Sequence, residues 1–126
     1  MTLAQAQSIT GYELAIYHAP AGSLTLAVID DNGELVTELV SKRKTCTKAS
    51  KQIAQMAQEF VDWNYRRNCQ AVCDAQKWRC ANCGRPIPLE VHHKVFRSQG
   101  RDDRIENLVA LCSCCHKGKH ARQDRQ

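Results

Sequence analysis

The sequence has no apolar run of roughly 18 residues, the length from which a hydrophobic stretch becomes a candidate membrane helix. Its first residues, MTLAQAQSITGYEL, lack the basic segment followed by an apolar segment that is typical of a secretory signal. Internal repeats and low-complexity tracts are also missing from the 126 residues. We therefore expect a cytoplasmic protein with no membrane partner, built as one domain or as a small domain with an appendage.

Cysteine, in contrast, is abundant, with eight residues in the chain. That number would suit a disulfide scaffold in a secreted protein. Because no secretory signal is visible and two of the pairs are spaced Cys-x-x-Cys, reduced thiolates that bind a metal are the better interpretation.

The positive charge is unevenly distributed. Residues 1–76 carry seven basic and eight acidic side chains, whereas residues 77–126 carry eleven Lys/Arg against five Asp/Glu. A cationic segment favours a polyanion as partner, since neutralised phosphates release condensed counterions. A solvated, soluble surface explains the same charge about equally well.

The first half of the chain offers no chemistry that can be identified from the residues. Alternating apolar residues predict strands over 12–18, 23–29 and 34–40, and the Asn-Gly of residues 30–33 predicts a hairpin turn with positive φ angles. Residues 1–48 are thus interpreted as an antiparallel β-meander and a basic linker of unknown role.

An amphipathic helix is predicted over residues 49–77, because apolar residues recur there at three- and four-residue spacing without Gly or Pro. Cys69 and Cys73 lie one helical turn apart on its apolar stripe. Buried cysteine behaves as a small hydrophobe, so core packing is favoured over metal binding for this pair.

Two Cys-x-x-Cys knuckles, Cys80/Cys83 and Cys112/Cys115, are separated by 28 residues. Four thiolates at this spacing suit tetrahedral Zn²⁺, and a site with four protein ligands has no open position and is therefore structural. Cys114 lies inside the second knuckle, but the 112/115 pair repeats the 80/83 spacing. Disulfides or unrelated free thiols are the alternatives.

Four of the five histidines also cluster around these knuckles. His92 and His93 would point to opposite faces of a strand, whereas His116 and His120 would share one face of a helix. An ion bound by His116, His120 and one of the paired histidines would keep open coordination positions, as a catalytic metal requires. The other paired histidine would then be free to act as a general base near neutral pH.

The segment VHHKVFRSQGRDDRIENLVALCSCCHKGKH resembles the zinc-stapled HNH endonucleases found in phages, restriction systems and mobile elements. The signature residues match as His93, Asn107 and His116, and the resemblance covers about residues 80–120. It implies an α+β fold in which a ββα-metal nuclease core with a structural four-cysteine zinc site occupies residues 78–126, after the meander and the helix. Three positions depart from the usual aliphatic, proline and glycine residues of the family: Lys94, Phe96 and Arg101.

The resemblance also implies an activity, namely a bacterial or phage DNA endonuclease that hydrolyses phosphodiester bonds and nicks one strand per engagement. His93 would be the general base, and Asn107 would brace its loop. The implied catalytic ion is Mg²⁺, or another divalent cation such as Mn²⁺ or Ni²⁺, bound by His92 and His116, with His120 as a third ligand or a phosphate contact. The implied structural ligands of Zn²⁺ are Cys80, Cys83, Cys112 and Cys115, and the expected phosphate contacts are Arg97, Arg101, Lys117 and Lys119.

Two other functions compete with this one. A non-catalytic, zinc-stabilised module that binds nucleic acid would need the cysteines and the charge, but not all of the histidines and Asn107 together. A protein–protein adaptor would explain the cysteines alone. Residues 1–77 lie outside the resemblance, and a homodimer contact or a protein partner is expected there.

Overall fold

The computed structural model describes residues 1–18, 23–41, 48–86, 88–97 and 100–115. The chain forms two compact units, an N-terminal unit, Met1–Asn64, and a C-terminal unit, Tyr65–Gln126. The boundary lies within a long helix and not at either end of it. No helix in the described ranges combines the length and the apolar character that a bilayer crossing requires.

A helix that the sequence analysis missed, α1, covers Leu3–Thr10. The prediction that the first 48 residues hold only a meander and a linker was therefore wrong for this segment. A capping box between Thr2 and Gln5 satisfies the first backbone N–H groups, and Gly11 ends the helix with a left-handed φ of 77°. Its buried face is short, with Ala6 and Ile9, which explains why apolar periodicity gave no signal.

The predicted meander is confirmed. Strands β1 (Glu13–His18), β2 (Leu24–Ile29) and β3 (Leu35–Val40) form an antiparallel sheet in the order β1-β2-β3. In the turn between β2 and β3 only Gly33 takes a positive φ, of 79°, so Asn32 does not adopt the conformation that the Asn-Gly pattern predicted. The Asp30 carboxylate instead accepts hydrogen bonds from the backbone N–H groups of Asn32 and Glu34, both at 2.9 Å.

The long helix α2 covers Ala49–Ala75, two residues less than predicted. It ends because Lys77 and Trp78 take left-handed φ values of 55° and 57°, and the backbone N–H of Trp78 donates to the Cys73 carbonyl. In the N-terminal unit its apolar stripe packs against the sheet and α1. The buried residues of that core are Ala6, Ile9, Leu14, Leu24, Leu26, Val28, Met56, Ala57, Phe60 and Val61.

The C-terminal unit contains the predicted pair of strands, β4 (Glu90–His93) and β5 (Leu108–Leu111), which are antiparallel with His93 opposite Leu108. A short 3₁₀ helix, Ile105–Asn107, leads directly into β5. Residues 113–115 are helical, and residues 116–126 lie outside the described residues.

The core of the C-terminal unit is small. Its larger cluster joins Val72 and Cys73 of α2 to Leu108 and Ala110 of β5. Burial raises the pKa of the Cys73 thiol, as expected for a cysteine that packs as a hydrophobe. A second cluster consists of Leu111 with Cys80 and Cys112, so that two of the predicted zinc ligands are themselves core residues.

Candidate metal centre and histidine site

The four knuckle cysteines come together as the sequence predicted. The Sγ atoms of Cys80, Cys83, Cys112 and Cys115 all lie within 4.8 Å of one another, and those of Cys83 and Cys112 are 3.6 Å apart. A tetrahedral ion with Zn–S bonds of about 2.3 Å requires sulfur atoms separated by about 3.8 Å. The cluster therefore fits a tetrahedral metal ion. Cys114 is exposed and does not belong to it.

The first knuckle is shaped by a tight turn. The backbone N–H of Gly84 donates to the Cys80 carbonyl at 2.9 Å, and Gly84 takes a φ of 74°, a conformation that favours glycine. The N–H of Ala81 donates to the Ala110 carbonyl of β5 at 3.1 Å. Because Cys112 directly follows β5, this bond holds the two knuckles side by side.

The four thiols compete for protons. Burial alone would raise the pKa of Cys80, but hydrogen bonds from backbone N–H groups, first that of Cys112, outweigh it and lower the pKa to about 6. The Asn82 amide lowers the pKa of Cys115, yet the Cys112 thiol, burial and the thiols of Cys80 and Cys83 together raise it to about 12. The pKa of Cys112 is also lowered and that of Cys83 is raised, so the cluster favours two thiolates and resists the other two. A cation that replaces the protons would relieve this conflict.

The paired histidines end strand β4 with both side chains buried. The ring of His93 stacks on the ring of Tyr65 with centroids 5.7 Å apart and an interplanar angle of 5°. His92 meets Phe96 edge-on at 5.1 Å, so the residue that stands in place of the usual proline packs on a predicted metal ligand. His116 and His120 lie outside the described residues, as do Lys117 and Lys119.

A buried carboxylate that the sequence analysis missed contacts His93. Asp103 is completely buried, and its Oδ1 lies 2.7 Å from His93 Nε2. Arg101 donates to the same carboxylate from Nη2 at 2.9 Å and from Nε at 3.1 Å. The Asn68 side-chain amide of α2 donates to the Asp103 backbone carbonyl at 2.8 Å.

Asn107, the central signature residue, bridges the two ends of the loop that follows β4. Its Oδ1 accepts from the Val95 backbone N–H at 2.9 Å, and its Nδ2 donates to the Asp102 carbonyl at 2.7 Å. Its own carbonyl accepts from the Lys94 backbone N–H at 2.7 Å. Three short bonds from one buried residue thus fix the backbone directly after His93.

The two described arginines among the predicted phosphate contacts differ in their surroundings. The Arg97 guanidinium lies 5.1 Å above the Tyr65 ring and the residue is exposed. Arg101 is half-buried and forms an ion pair with Asp103, so it has a partner inside the protein. Arg104 pairs with Asp102 on the surface, and its hydrogen bonds lower the pKa of that carboxyl.

Comparison with known proteins agrees with this arrangement. The family model described as HNH endonuclease matches residues 80–122. A type IV methyl-directed restriction enzyme of Escherichia coli K12, EcoKMcrA, is 38% identical over 58 residues, which cover 39% of this chain and 21% of that protein. The chain thus spans about a fifth of the length of this curated relative, and no solved structure matches. The cysteine cluster, the paired histidines and Asn107 all lie within the segment that matches the HNH endonuclease family.

Proposed function

We propose that the protein is a metal-dependent DNA endonuclease that hydrolyses phosphodiester bonds, with His93 as general base and one strand cut per engagement. The observation that carries this proposal is the buried His93 at the end of β4, followed by a loop that Asn107 fixes at both ends. A general base must be held within reach of the proton that it takes, which requires a rigid backbone on either side.

Few side chains have a role in the proposed hydrolysis. His93 takes a proton from the attacking water, and Asn107 keeps the loop in the conformation that aims the imidazole. His92, His116 and His120 are the proposed ligands of one divalent cation, Mg²⁺, Mn²⁺ or Ni²⁺. When bound, this cation stabilises negative charge on the phosphate and on the departing 3′ oxygen. Imidazole nitrogen is a donor that such ions accept, and His92 offers it beside the base.

The proposed role of zinc is structural. Four thiolates complete a tetrahedral shell and leave no position for substrate or water. The fit of the four sulfur atoms supports Zn²⁺ at this site. Among the described residues, Leu111 is the buried apolar residue of this cluster, and the partly buried Leu89 and Val109 pack against it. Because so little apolar surface is buried there, a bound ion would contribute folding free energy that apolar burial does not supply.

DNA is the proposed substrate because of charge and family together. Residues 77–126 carry an excess of basic side chains, and Arg97 is exposed beside the Tyr65–His93 stack. Arg97, Lys117 and Lys119 are proposed contacts to backbone phosphates. Arg101, in its ion pair with Asp103, would contact phosphate only with the nitrogen atoms that Asp103 leaves free. Residues 1–77 remain the proposed surface for a homodimer or protein partner.

The test uses supercoiled plasmid with Mg²⁺, Mn²⁺, Ni²⁺ or EDTA, and compares the wild type with His93→Ala and with His18→Ala, an exposed histidine of the N-terminal unit. We expect metal-dependent nicking by wild type and His18→Ala, and DNA binding without nicking by His93→Ala. Because the 3′ oxygen departs, DNA ligase should seal the nicks.

Other outcomes would contradict the proposal. If the wild type binds DNA by fluorescence anisotropy but cuts no substrate with any of these ions, the domain is a zinc-stabilised binding module. If the wild type neither binds nor cuts DNA, a protein–protein adaptor role replaces the endonuclease proposal. Equal cutting by wild type and His93→Ala would remove His93 from the mechanism and leave the nuclease activity to be explained by another group.

A further inference from the structure

Asp103 is a buried carboxylate that contacts both an arginine and the proposed general base. Its side chain is fully buried, and both its oxygens are used. Oδ1 lies 2.7 Å from His93 Nε2, while Oδ2 accepts from Arg101 at 2.9 and 3.1 Å. The adjacent Asp102 pairs with Arg104 at the surface instead.

We propose that Asp103 is a positioning residue that holds His93 in the tautomer protonated at Nε2, so that Nδ1 is the nitrogen that takes the proton. Arginine is only a donor, so a carboxylate bonded to Arg101 on both oxygens acts as an acceptor toward its third partner. The proton of the 2.7 Å bond therefore lies on Nε2 of His93. This inference rests on the proposed function of His93 as a base.

Helix α2 also contributes residues that position His93, although it precedes the segment that the family model matches. Tyr65 stacks on the imidazole of His93 and limits rotation of the ring. Asn68 donates to the backbone carbonyl of Asp103 at a buried position. The C-terminal unit begins at Tyr65, so the base, the carboxylate and the two helix residues lie in one compact unit.

The substitution Asp103→Asn changes the hydrogen bond to His93 while it keeps the packing of the side chain. Asparagine has nearly the same shape, but its amide has one acceptor oxygen and one donor nitrogen. Because Arg101 only donates, the amide oxygen turns toward Arg101 and the NH₂ group turns toward His93. Nε2 must then accept a hydrogen bond, which transfers the imidazole proton to Nδ1. Asp102→Asn changes the neighbouring carboxylate in the same way and is the matched control.

The experiment has two readouts on the full, zinc-loaded chain. Long-range ¹H–¹⁵N NMR spectra of the histidine rings, recorded at mildly alkaline pH and assigned by comparison with His93→Gln, report the tautomer directly. Plasmid-cleavage kinetics then separate kcat from KM. We expect Nε2–H in the wild type and in Asp102→Asn, and Nδ1–H in Asp103→Asn. We also expect kcat of Asp103→Asn to fall on the order of 10²- to 10⁴-fold with KM within about twofold.

Each outcome supports or contradicts the inference that Asp103 fixes the tautomer of His93. Nδ1–H in the wild type would overturn the inference, and so would an Asp103→Asn variant that keeps the wild-type tautomer and kcat. An equal loss of kcat in Asp102→Asn and Asp103→Asn would reduce Asp103 to a structural role. If Asp103→Asn does not fold, the wild-type spectrum alone tests the tautomer. If the wild type cuts no DNA, the proposed function fails, while the spectra still decide whether Asp103 fixes His93.

Discussion

Replacing one knuckle cysteine should separate the stabilities of the two compact units. Cys112 is buried beside Cys80 and Leu111, whereas Cys114, two residues later, is exposed and outside the sulfur cluster. We therefore expect Cys112→Ser to release the metal and unfold the C-terminal unit. Cys114→Ser, the matched control, should keep one metal ion per chain and the wild-type stability.

The expected size of the effect follows from the ligand count. A structural Zn²⁺ contributes roughly 10–16 kcal/mol of apparent binding free energy, so one ligand of four contributes about 2.5–4 kcal/mol. That is a large part of the roughly 5–15 kcal/mol by which a small domain is stable. Cys114→Ser changes a surface side chain and should shift the free energy of unfolding by less than about 0.5 kcal/mol.

The chain offers one tryptophan in each unit as a probe. Trp63 packs on Phe60 in the N-terminal core, and Trp78 donates to Asp74 in the C-terminal unit. Denaturation followed by fluorescence in Trp63→Phe and Trp78→Phe backgrounds, with metal content measured by mass spectrometry, reports each unit separately. An equal loss for Cys112→Ser and Cys114→Ser, or full metal retention by Cys112→Ser, would refute the reasoning.

Three further predictions test other parts of the structure. Phe60→Ala should lower the stability of the N-terminal unit by about 3–5 kcal/mol, measured by circular dichroism in urea, without loss of metal. Burial, with the Cys69 thiol, raises the pKa of Tyr65 above 10.0. The neutral phenol therefore contributes fully to the free energy of unfolding below pH 10.0, and this contribution is lost as the pH rises through the pKa of Tyr65 in the folded protein. Phenolate absorbance of the wild type, compared with that of Tyr65→Phe, measures this pKa. Arg97→Gln should raise KM for DNA several-fold with kcat unchanged, and should reduce the salt slope of binding by about one; an unchanged salt slope would remove Arg97 from the phosphate contacts.

The sequence predicted those features that depend on local spacing. The four cysteines were predictable because a tetrahedral thiolate site needs two closely spaced pairs, whatever connects them. The meander was predictable because each strand alternates apolar and polar residues, with turns between the strands. Helix α1 is a different case, since its signal is the Thr2–Gln5 capping box and Gly11 rather than an apolar stripe.

The contacts around His93 could not be predicted in this way because they join distant parts of the chain. Asp103 and Asp102 are adjacent in a polar loop, and nothing in the sequence shows which of them turns inward. Asn68 reaches Asp103 across 35 residues. The sequence does contain one signal for Asn68, because it is a polar residue on the same helix face as Tyr65 and Val72. A polar side chain on an apolar stripe indicates a buried hydrogen bond.

The most direct test of the central claim is the single-turnover rate constant for nicking by wild type and His93→Ala, at protein concentrations that saturate the DNA. With equal DNA affinity and equal metal content, the account predicts a rate for His93→Ala lower on the order of 10²- to 10⁴-fold, the contribution of a positioned general base. An unchanged rate constant for His93→Ala would contradict it.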